Sequence, residues 1–182
     1  MEKRMAGDYE IIQAFLIGDH EVVIRENLNA IPCKLLFVTK QGMMKLVDTS
    51  EFEASKKTVA ATKLADGDSV AAILKTDATV EVYSRFNYDG SMAEDEVIES
   101  SQNVVVRTEN GVFLKFPLTE IPQKKKNAVG VRGIKLVKDD TVDDVYLIGN
   151  TEDVSTEYCG KTIDLGRMKL AHRDTKGTKV RV

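Results

Sequence analysis

Apolar residues in this chain come in short runs or alternate with polar residues, and long helical periodicity is absent. Runs of three to five apolar positions occupy residues 35–38, 70–74, 104–106 and 145–148. β-Branched and aromatic residues dominate these runs, and Gly, Asp, Asn and Pro separate them. Many short strands at short spacing are typical of an all-β sandwich, barrel or propeller. We therefore predict an all-β fold.

Two tight hairpins can be placed between these strands. Residues 39–42 separate two apolar runs, and residues 108–111 do the same further along the chain. Asn110 and Gly111 form the stronger turn sequence, because a type I′ turn needs a positive φ at both central positions and Asn-Gly tolerates it. The sequence therefore predicts a type I′ hairpin at Asn110-Gly111.

The two hairpins belong to an internal repeat. Thr39 and Gly42 correspond to Thr108 and Gly111 at a spacing of 69 residues. Further along each unit, a Glu-apolar segment, a basic stretch, a Leu-containing strand and an Asp-containing turn follow in the same order. A unit of about 40–50 residues with four strands has the size of one propeller blade.

The repeat also sets the expected domain organisation. Residues 151–182 form a partial third unit, in which residues 176–182 occupy the place of residues 129–135. The chain opens in the middle of a unit, as if it were a piece of a longer array. We predict units at roughly 33–77, 102–148 and 151–182, with 1–24 completing a blade. The acidic stretch 87–101 is expected to be a loop between units.

Several motifs resemble the repeat of a known family. The residues that carry the resemblance are the turn at 39–42, the Glu-Phe pair at 51–52, the Glu-Ile-Pro segment at 120–122 and the Gly-rich basic stretch at 130–136. Together they resemble the C-terminal domain of the A subunits of bacterial type IIA topoisomerases, which are DNA gyrase and topoisomerase IV. The resemblance implies a β-pinwheel, a propeller-like disc of four-stranded blades, with about three blades in residues 1–182.

The same resemblance implies a function. Such domains bind and bend double-stranded DNA, and they steer a segment to the cleavage core for ATP-dependent relaxation or decatenation. The implied protein partners are the breakage-reunion domain of the full-length protein and the B-type subunit, which is the ATPase. The catalytic Tyr of the family lies in the breakage-reunion domain, so this chain is expected to hold no catalytic residue and no cofactor. Its two Cys and two His are scattered without ligand spacing, which predicts no metal site. The two thiols, Cys33 and Cys159, and the lack of a signal-peptide or membrane-spanning pattern predict a cytoplasmic protein without a membrane partner. The resemblance adds the expectation that it is nucleoid-associated.

One family feature is absent from the sequence. Gyrase subunits carry a Gln-Arg-Arg-Gly-Gly-Lys-Gly box that fastens wrapped DNA, and this chain has no such box. Its absence favours a topoisomerase IV-like role over gyrase-type chiral wrapping.

The charge of the chain restricts where DNA could bind. The 182 residues carry a net charge of −3, so any binding to DNA must use local basic patches. Residues 112–138 hold seven basic residues against one acidic residue, and residues 161–182 hold seven against two. These basic residues fall at the same stage of each repeat. The predicted phosphate contacts are Lys45, Lys56, Lys57, Lys115, Lys124, Lys125, Lys126, Arg132, Lys135, Arg173, Lys176, Lys179 and Arg181.

Two other functions compete with DNA binding. A propeller-like protein-protein interaction module without DNA affinity would suit the net negative charge. A small β enzyme would need a convergent acid-base pair or metal ligands, and the sequence shows no such motif. DNA binding remains the leading prediction because the repeat places basic residues in phase.

Overall fold

The predicted apolar runs form strands in a computed structural model of the protein. The structure describes residues 9–17, 21–28, 34–52, 60–76, 80–86, 92–99, 102–150 and 152–181. The strands in these ranges are β1 (Tyr9–Ile17), β2 (Glu21–Leu28), β3 (Lys34–Thr39), β4 (Met43–Asp48), β5 (Val70–Lys75), β6 (Val80–Phe86), β7 (Met92–Glu99), β8 (Asn103–Thr108), β9 (Val112–Pro117), β10 (Val131–Arg132), β11 (Val142–Ile148), β12 (Ser155–Tyr158), β13 (Lys161–Asp164) and β14 (Thr178–Lys179). Short 3₁₀ turns at Thr49–Phe52 and Leu118–Glu120 follow β4 and β9.

The two central sheets each have four strands, and each borrows one of them from the next unit. The first sheet has the order β10-β4-β3-β5, and the second has the order β11-β8-β9-β14. In the first sheet Val131 and Arg132 of β10 pair antiparallel with Met44 and Met43 of β4. In the second sheet β14 pairs with β9 in the same way. Each repeat is therefore fastened to its neighbour by a donated edge strand.

The hydrophobic core lies between the two four-stranded sheets. Leu36 and Met44 from the first sheet belong to the same buried cluster as Val104 and Phe116 from the second. The opposite face of the first sheet is also covered, because Phe37 packs with Phe52. Strands buried on both faces are expected to show continuous apolar runs rather than alternation, as residues 35–38 and 104–106 do. Burial of each such side chain contributes about 1.5–3 kcal/mol.

The two hairpin turns close in the same way. The N–H of Gly42 donates to the Thr39 carbonyl at 2.9 Å, and the N–H of Gly111 donates to the Thr108 carbonyl at 2.9 Å. In both turns only the glycine has a positive φ, at +78° and +72°, whereas Asn110 does not. The hairpin prediction is confirmed and the type I′ prediction is wrong. Each loop is a three-residue hairpin with glycine in the left-handed position.

The Asp of each repeat fastens its turn from the side. One Asp68 carboxylate oxygen accepts the Gln41 N–H at 3.0 Å. The corresponding oxygen of Asp140 accepts the Asn110 N–H at 3.1 Å. The repeated Thr, Gly and Asp residues are therefore explained by hydrogen bonds within the hairpin ends.

Outside the two central sheets, the structure departs from one expectation. The acidic composition of residues 87–101 predicts a loop, but Met92–Glu99 forms strand β7 and pairs with β6. The charged residues of this segment suit a loop as well as a strand, so the sequence does not reveal the pairing. That residues 1–24 complete a blade stays a prediction, since β1 pairs with β2 and also contacts β5 at the edge of the first sheet.

The predicted hairpin of the third unit is confirmed. Strands β12 and β13 pair across a turn in which Cys159 and Gly160 both have a positive φ. No part of the described ranges forms a helix long and apolar enough to cross a membrane.

Candidate nucleic-acid interface

Two stretches of the chain carry most of the predicted phosphate contacts to the same edge of their sheets. We call residues 122–135 the first donated segment and residues 169–181 the second donated segment, because they contain β10 and β14. In both four-stranded sheets the donated strand is the edge strand opposite β5 or β11. Since β5 and β11 contact each other, the donated segments lie on the side away from that contact.

The two donated segments run along their host strands in matching register. The N–H of Lys124 donates to the Leu46 carbonyl at 2.8 Å, and the N–H of Ala171 donates to the Lys115 carbonyl at 2.8 Å. Parallel bridges join Leu46 to Gln123 and Lys115 to Leu170. The donated segments therefore correspond at a spacing of 47 residues, while their host strands correspond at 69.

Glycine allows each donated segment to approach its host strand. A side chain at Gly130 would place its Cβ 2.5 Å from the Met44 carbonyl oxygen, and one at Gly177 would lie 2.6 Å from that of Phe113. Gly177 also has a φ of +68°. These glycines are needed because main chain meets main chain at this point.

A glutamate of the host unit also holds each donated segment. The Glu120 carboxylate accepts the Arg173 N–H at 2.9 Å, and its other oxygen lies 2.8 Å from Nδ1 of His172. Glu51 stands at the same place in the first unit, where it accepts the Lys126 N–H at 3.4 Å. The Glu of the repeat motif therefore joins one unit to the next.

Two predicted phosphate contacts are buried and need correction. Lys45 is 2% exposed, and its ammonium donates to the carbonyls of Lys126 at 2.6 Å and Ala128 at 2.7 Å. Lys115 is 6% exposed, and it donates to the Gly166 carbonyl at 2.8 Å. Ammonium groups held by carbonyls below the surface do not reach a DNA backbone. We therefore remove Lys45 and Lys115 from the predicted phosphate contacts.

Burial also changes the acidity of Lys45. The pKa of Lys45 is lowered from 10.5 to about 8, mainly because the ammonium has lost solvent; the charge of Glu51 opposes this shift and the charge of Lys124 adds to it. Nothing in the sequence indicates this burial, because a single Lys within an apolar strand normally points to solvent.

The remaining predicted contacts differ in their exposure. Lys56 and Lys57 lie outside the described residues. Lys124, Lys126 and Arg173 are half-buried. The Lys126 ammonium donates to the Glu51 carbonyl at 2.6 Å. The exposed predicted contacts are Lys125, Arg132, Lys135, Lys176, Lys179 and Arg181.

The structure brings the two donated segments together at one junction. Ile134 forms a parallel bridge with Thr175, and the Lys135 N–H donates to the Thr175 carbonyl at 2.9 Å. Arg132, Lys135 and Arg173 consequently lie around the carboxylate of Asp174, whose pKa is lowered mainly by its hydrogen bond with Arg132. The cations of two consecutive units thus lie close together, and Asp174 is the one acidic residue within the two donated segments.

Neither Asp174 nor His172 is predicted as a site residue from the sequence. Both positions could have been found from the repeat. When the alignment of residues 176–182 with 129–135 is extended towards the N-terminus, His172 matches Lys125 and Asp174 matches Asn127. Within the described ranges, no group of three or more His, Cys, Asp or Glu side chains is arranged to hold a metal ion.

Comparisons with known proteins agree with this architecture. A family model described as DNA gyrase C-terminal domain, beta-propeller, matches residues 34–77 and 102–148. The A subunit of DNA gyrase from Helicobacter pylori is 26% identical over 117 residues, which cover 64% of this chain and 12% of that protein. The A subunit of DNA gyrase from Ureaplasma parvum is 26% identical over 147 residues, which cover 79% of this chain and 15% of that protein. The matched part of the chain therefore spans 12% to 15% of the length of these relatives.

Solved structures show the same fold. The C-terminal domain of DNA topoisomerase IV superimposes with a TM-score of 0.64 at 20% identity, over 88% of this chain and 44% of that one. The E. coli ParC C-terminal domain superimposes with a TM-score of 0.62 at 15% identity, over 88% of this chain and 61% of that one. The predicted all-β, propeller-like pinwheel fold and the family resemblance are both confirmed.

Proposed function

This chain belongs to the DNA gyrase C-terminal domain family, and from that premise we propose that it binds and bends duplex DNA. The observation that carries the proposal is the junction of the two donated segments, where cations from consecutive blades form one surface. Lys and Arg on a curved edge can follow a phosphate backbone without reading bases. Bending the duplex costs a few kcal/mol, which contacts spread over successive blades would offset.

In the intact protein, we propose that this domain serves the A subunit of a type IIA topoisomerase. It would present a DNA segment to the breakage-reunion domain, whose catalytic Tyr lies outside this chain, while the B-type subunit hydrolyses ATP. The absence of the Gln-Arg-Arg-Gly-Gly-Lys-Gly box supports relaxation or decatenation of the topoisomerase IV type. We propose a cytoplasmic, nucleoid-associated location, because the proposed ligand is duplex DNA.

The test is fluorescence-anisotropy binding to a short duplex and a much longer one across a salt series. Tracking of phosphates by successive blades predicts binding in the micromolar range or tighter, with a steep loss of affinity as salt rises and stronger binding to the longer duplex. Absence of binding even at low salt would overturn the proposal.

A pair of charge-matched variants locates the interface. Replacement of Lys124, Lys125 and Lys126 by Gln should weaken binding roughly tenfold and reduce the salt slope by about two. The control replaces Lys34, Lys40 and Lys75 by Gln, since these lysines lie outside the donated segments, and it should change affinity by about twofold or less. Equal losses in both variants would show that net charge, rather than the donated segments, controls binding.

The protein-interaction alternative keeps one supporting observation, which is the net charge of −3. It predicts no DNA affinity near physiological salt and a tight protein partner. The same salt series therefore decides between the two functions.

A further inference from the structure

One ion pair stands where the two donated segments meet. Arg132 donates from both Nε and Nη2 to the Asp174 carboxylate, and the Nη2–Oδ2 distance is 3.0 Å. The two side chains remain 52% and 37% exposed. A planar guanidinium binds carboxylate and phosphate in the same two-pronged geometry.

The surroundings of this carboxylate are basic. Arg173 donates from Nη1 to the Arg132 carbonyl at 3.1 Å, which places its guanidinium beside the pair. The positive charges of Arg132, Lys135 and Arg173 all act on Asp174 and lower its pKa. The Asp174 carboxylate therefore lies among three cationic side chains, whereas the carboxylate of Glu120 binds the main-chain N–H of Arg173.

The backbone fixes the position of the carboxylate. The Asp174 N–H donates to the Gly133 carbonyl at 2.6 Å, and the following residue, Thr175, pairs with Ile134. Asp174 has a φ of +61°, a region that Asp and Asn adopt more readily than other non-glycine residues. The position of Asp174 is therefore set by the backbone contacts at which the second donated segment crosses the first.

A neutral amide stands at the corresponding position of the preceding unit. At the spacing of 47 residues, Asp174 corresponds to Asn127 in the first donated segment. Both residues lie in a turn, but only Asp174 has a positive φ. Because Asn adopts this left-handed region readily, as Asp does, an amide at position 174 should keep the turn.

We propose that Arg132, Lys135 and Arg173 form a phosphate site which the Asp174 carboxylate occupies in the free protein. The inference rests on the proposed DNA-binding function and adds regulation to that surface. Asp174 takes the place of one backbone phosphate, so Arg132 joins the DNA contact only when this carboxylate is displaced. The ligand class is the phosphodiester backbone of duplex DNA.

The test is a double-mutant cycle on DNA affinity. Asp174→Asn keeps the turn and removes the competing charge, so it should tighten binding to a duplex of about 30 base pairs roughly fivefold and steepen the salt slope by about 0.9. Asp153→Asn is the matched control, because it removes one exposed acid of the third unit outside the donated segments. It should leave the salt slope unchanged.

Arg132→Ala distinguishes a masked contact from a general charge effect. In the wild-type background it should weaken binding about twofold or less, because Asp174 already holds the guanidinium. In the Asp174→Asn background it should cost roughly fivefold, because the arginine then contacts phosphate. Thermal unfolding of each variant checks that the fold is kept.

The outcomes separate this inference from the proposed function. Equal costs of Arg132→Ala in both backgrounds, or equal gains from Asp174→Asn and Asp153→Asn, would overturn the masking role alone. Absence of DNA binding by the wild type and by Asp174→Asn at low salt would overturn both. Binding by Asp174→Asn where the wild type binds weakly would support the masked site directly.

Discussion

The first and second four-stranded sheets hold their turns and donated segments by corresponding backbone contacts, but their buried lysines lie at different positions. In both sheets a glutamate, a close glycine and a turn aspartate hold corresponding backbone atoms. The buried lysines do not correspond. Lys45 pairs across its hairpin with Phe37, whereas Lys115 pairs with Val105.

The difference in register puts the two lysines on opposite faces of their sheets. At the repeat spacing of 69 residues, Lys45 corresponds to Leu114 rather than to Lys115. A shift of one residue turns a side chain to the other face of a strand. Lys45 therefore fastens residues 126 and 128 of the first donated segment, whereas Lys115 fastens residues 165 and 166 of the third unit. The contacts that hold backbone atoms recur in each unit, whereas each buried lysine holds a different part of the chain.

The largest effects on stability should come from substituting the glycines at which a donated segment approaches its host strand. Gly177→Ala introduces a Cβ 2.6 Å from the Phe113 carbonyl oxygen at a φ of +68°, so both a clash and backbone strain oppose it. We expect a loss of about 3 kcal/mol in the free energy of unfolding, measured by urea denaturation. Gly130→Ala should cost nearly as much, because its Cβ would lie 2.5 Å from the Met44 carbonyl oxygen.

Gly160→Ala is the control for the glycine experiment. Gly160 has a φ of +74°, but no atom lies within 4 Å of the Cβ it would gain. It therefore measures left-handed strain alone, at about 1 kcal/mol. If Gly177→Ala cost no more than Gly160→Ala, the close approach of the second donated segment would not be stabilising the sheet.

The next effect concerns the local feature of the first sheet, the buried Lys45. Its pKa is about 8 in the folded protein and 10.5 in the ordinary, solvated state. Between these values the unfolded chain holds a proton that the folded protein has lost, so the free energy of unfolding rises with pH. Between about pH 7.5 and pH 10, the wild type should gain about 2 kcal/mol relative to Lys45→Met.

The variant removes the titrating group and nearly preserves side-chain length, so other groups cancel in the difference. Urea denaturation across the pH series measures it. A difference that stays constant with pH would mean that the carbonyls of Lys125, Lys126 and Ala128 keep Lys45 charged throughout the range.

The sequence predicted the features that recur in both units better than those that occur once. Spacing predicted the turns at Thr39–Gly42 and Thr108–Gly111 and the correspondence of residues 176–182 with 129–135, because the same main-chain hydrogen bonds recur in each repeat. Spacing alone did not show that these strands pair with the preceding unit. The strand at Met92–Glu99 could not be predicted in the same way, because its charged residues suit a loop equally well and its partner strand β6 supplies the missing hydrogen bonds.

The candidate site was predicted only in outline. Spacing placed Arg132 and Lys179 at corresponding positions of the two donated strands, and they do pair with corresponding residues of β4 and β9. Composition alone could not show that Lys45 and Lys115 turn inward. It also could not show that Asp174 lies against Arg132, because that contact depends on how the segments of two units cross.

The smallest expected effect concerns the two glutamates, Glu120 and Glu51, that accept hydrogen bonds from the donated segments. Glu120 accepts two hydrogen bonds at 2.9 and 2.8 Å, whereas Glu51 accepts the Lys126 N–H at 3.4 Å. Glu120→Gln should therefore cost about 1 kcal/mol in the free energy of unfolding, and Glu51→Gln only about 0.3 kcal/mol.

Glu51 has a second role, since its charge favours the protonated form of Lys45. Glu51→Gln should consequently lower the pH at which stability begins to rise, while Glu120→Gln leaves that pH unchanged. A larger loss for Glu51→Gln at neutral pH, or the same pH profile for both variants, would show that the two glutamates differ in some way other than hydrogen-bond length and distance from the buried lysine.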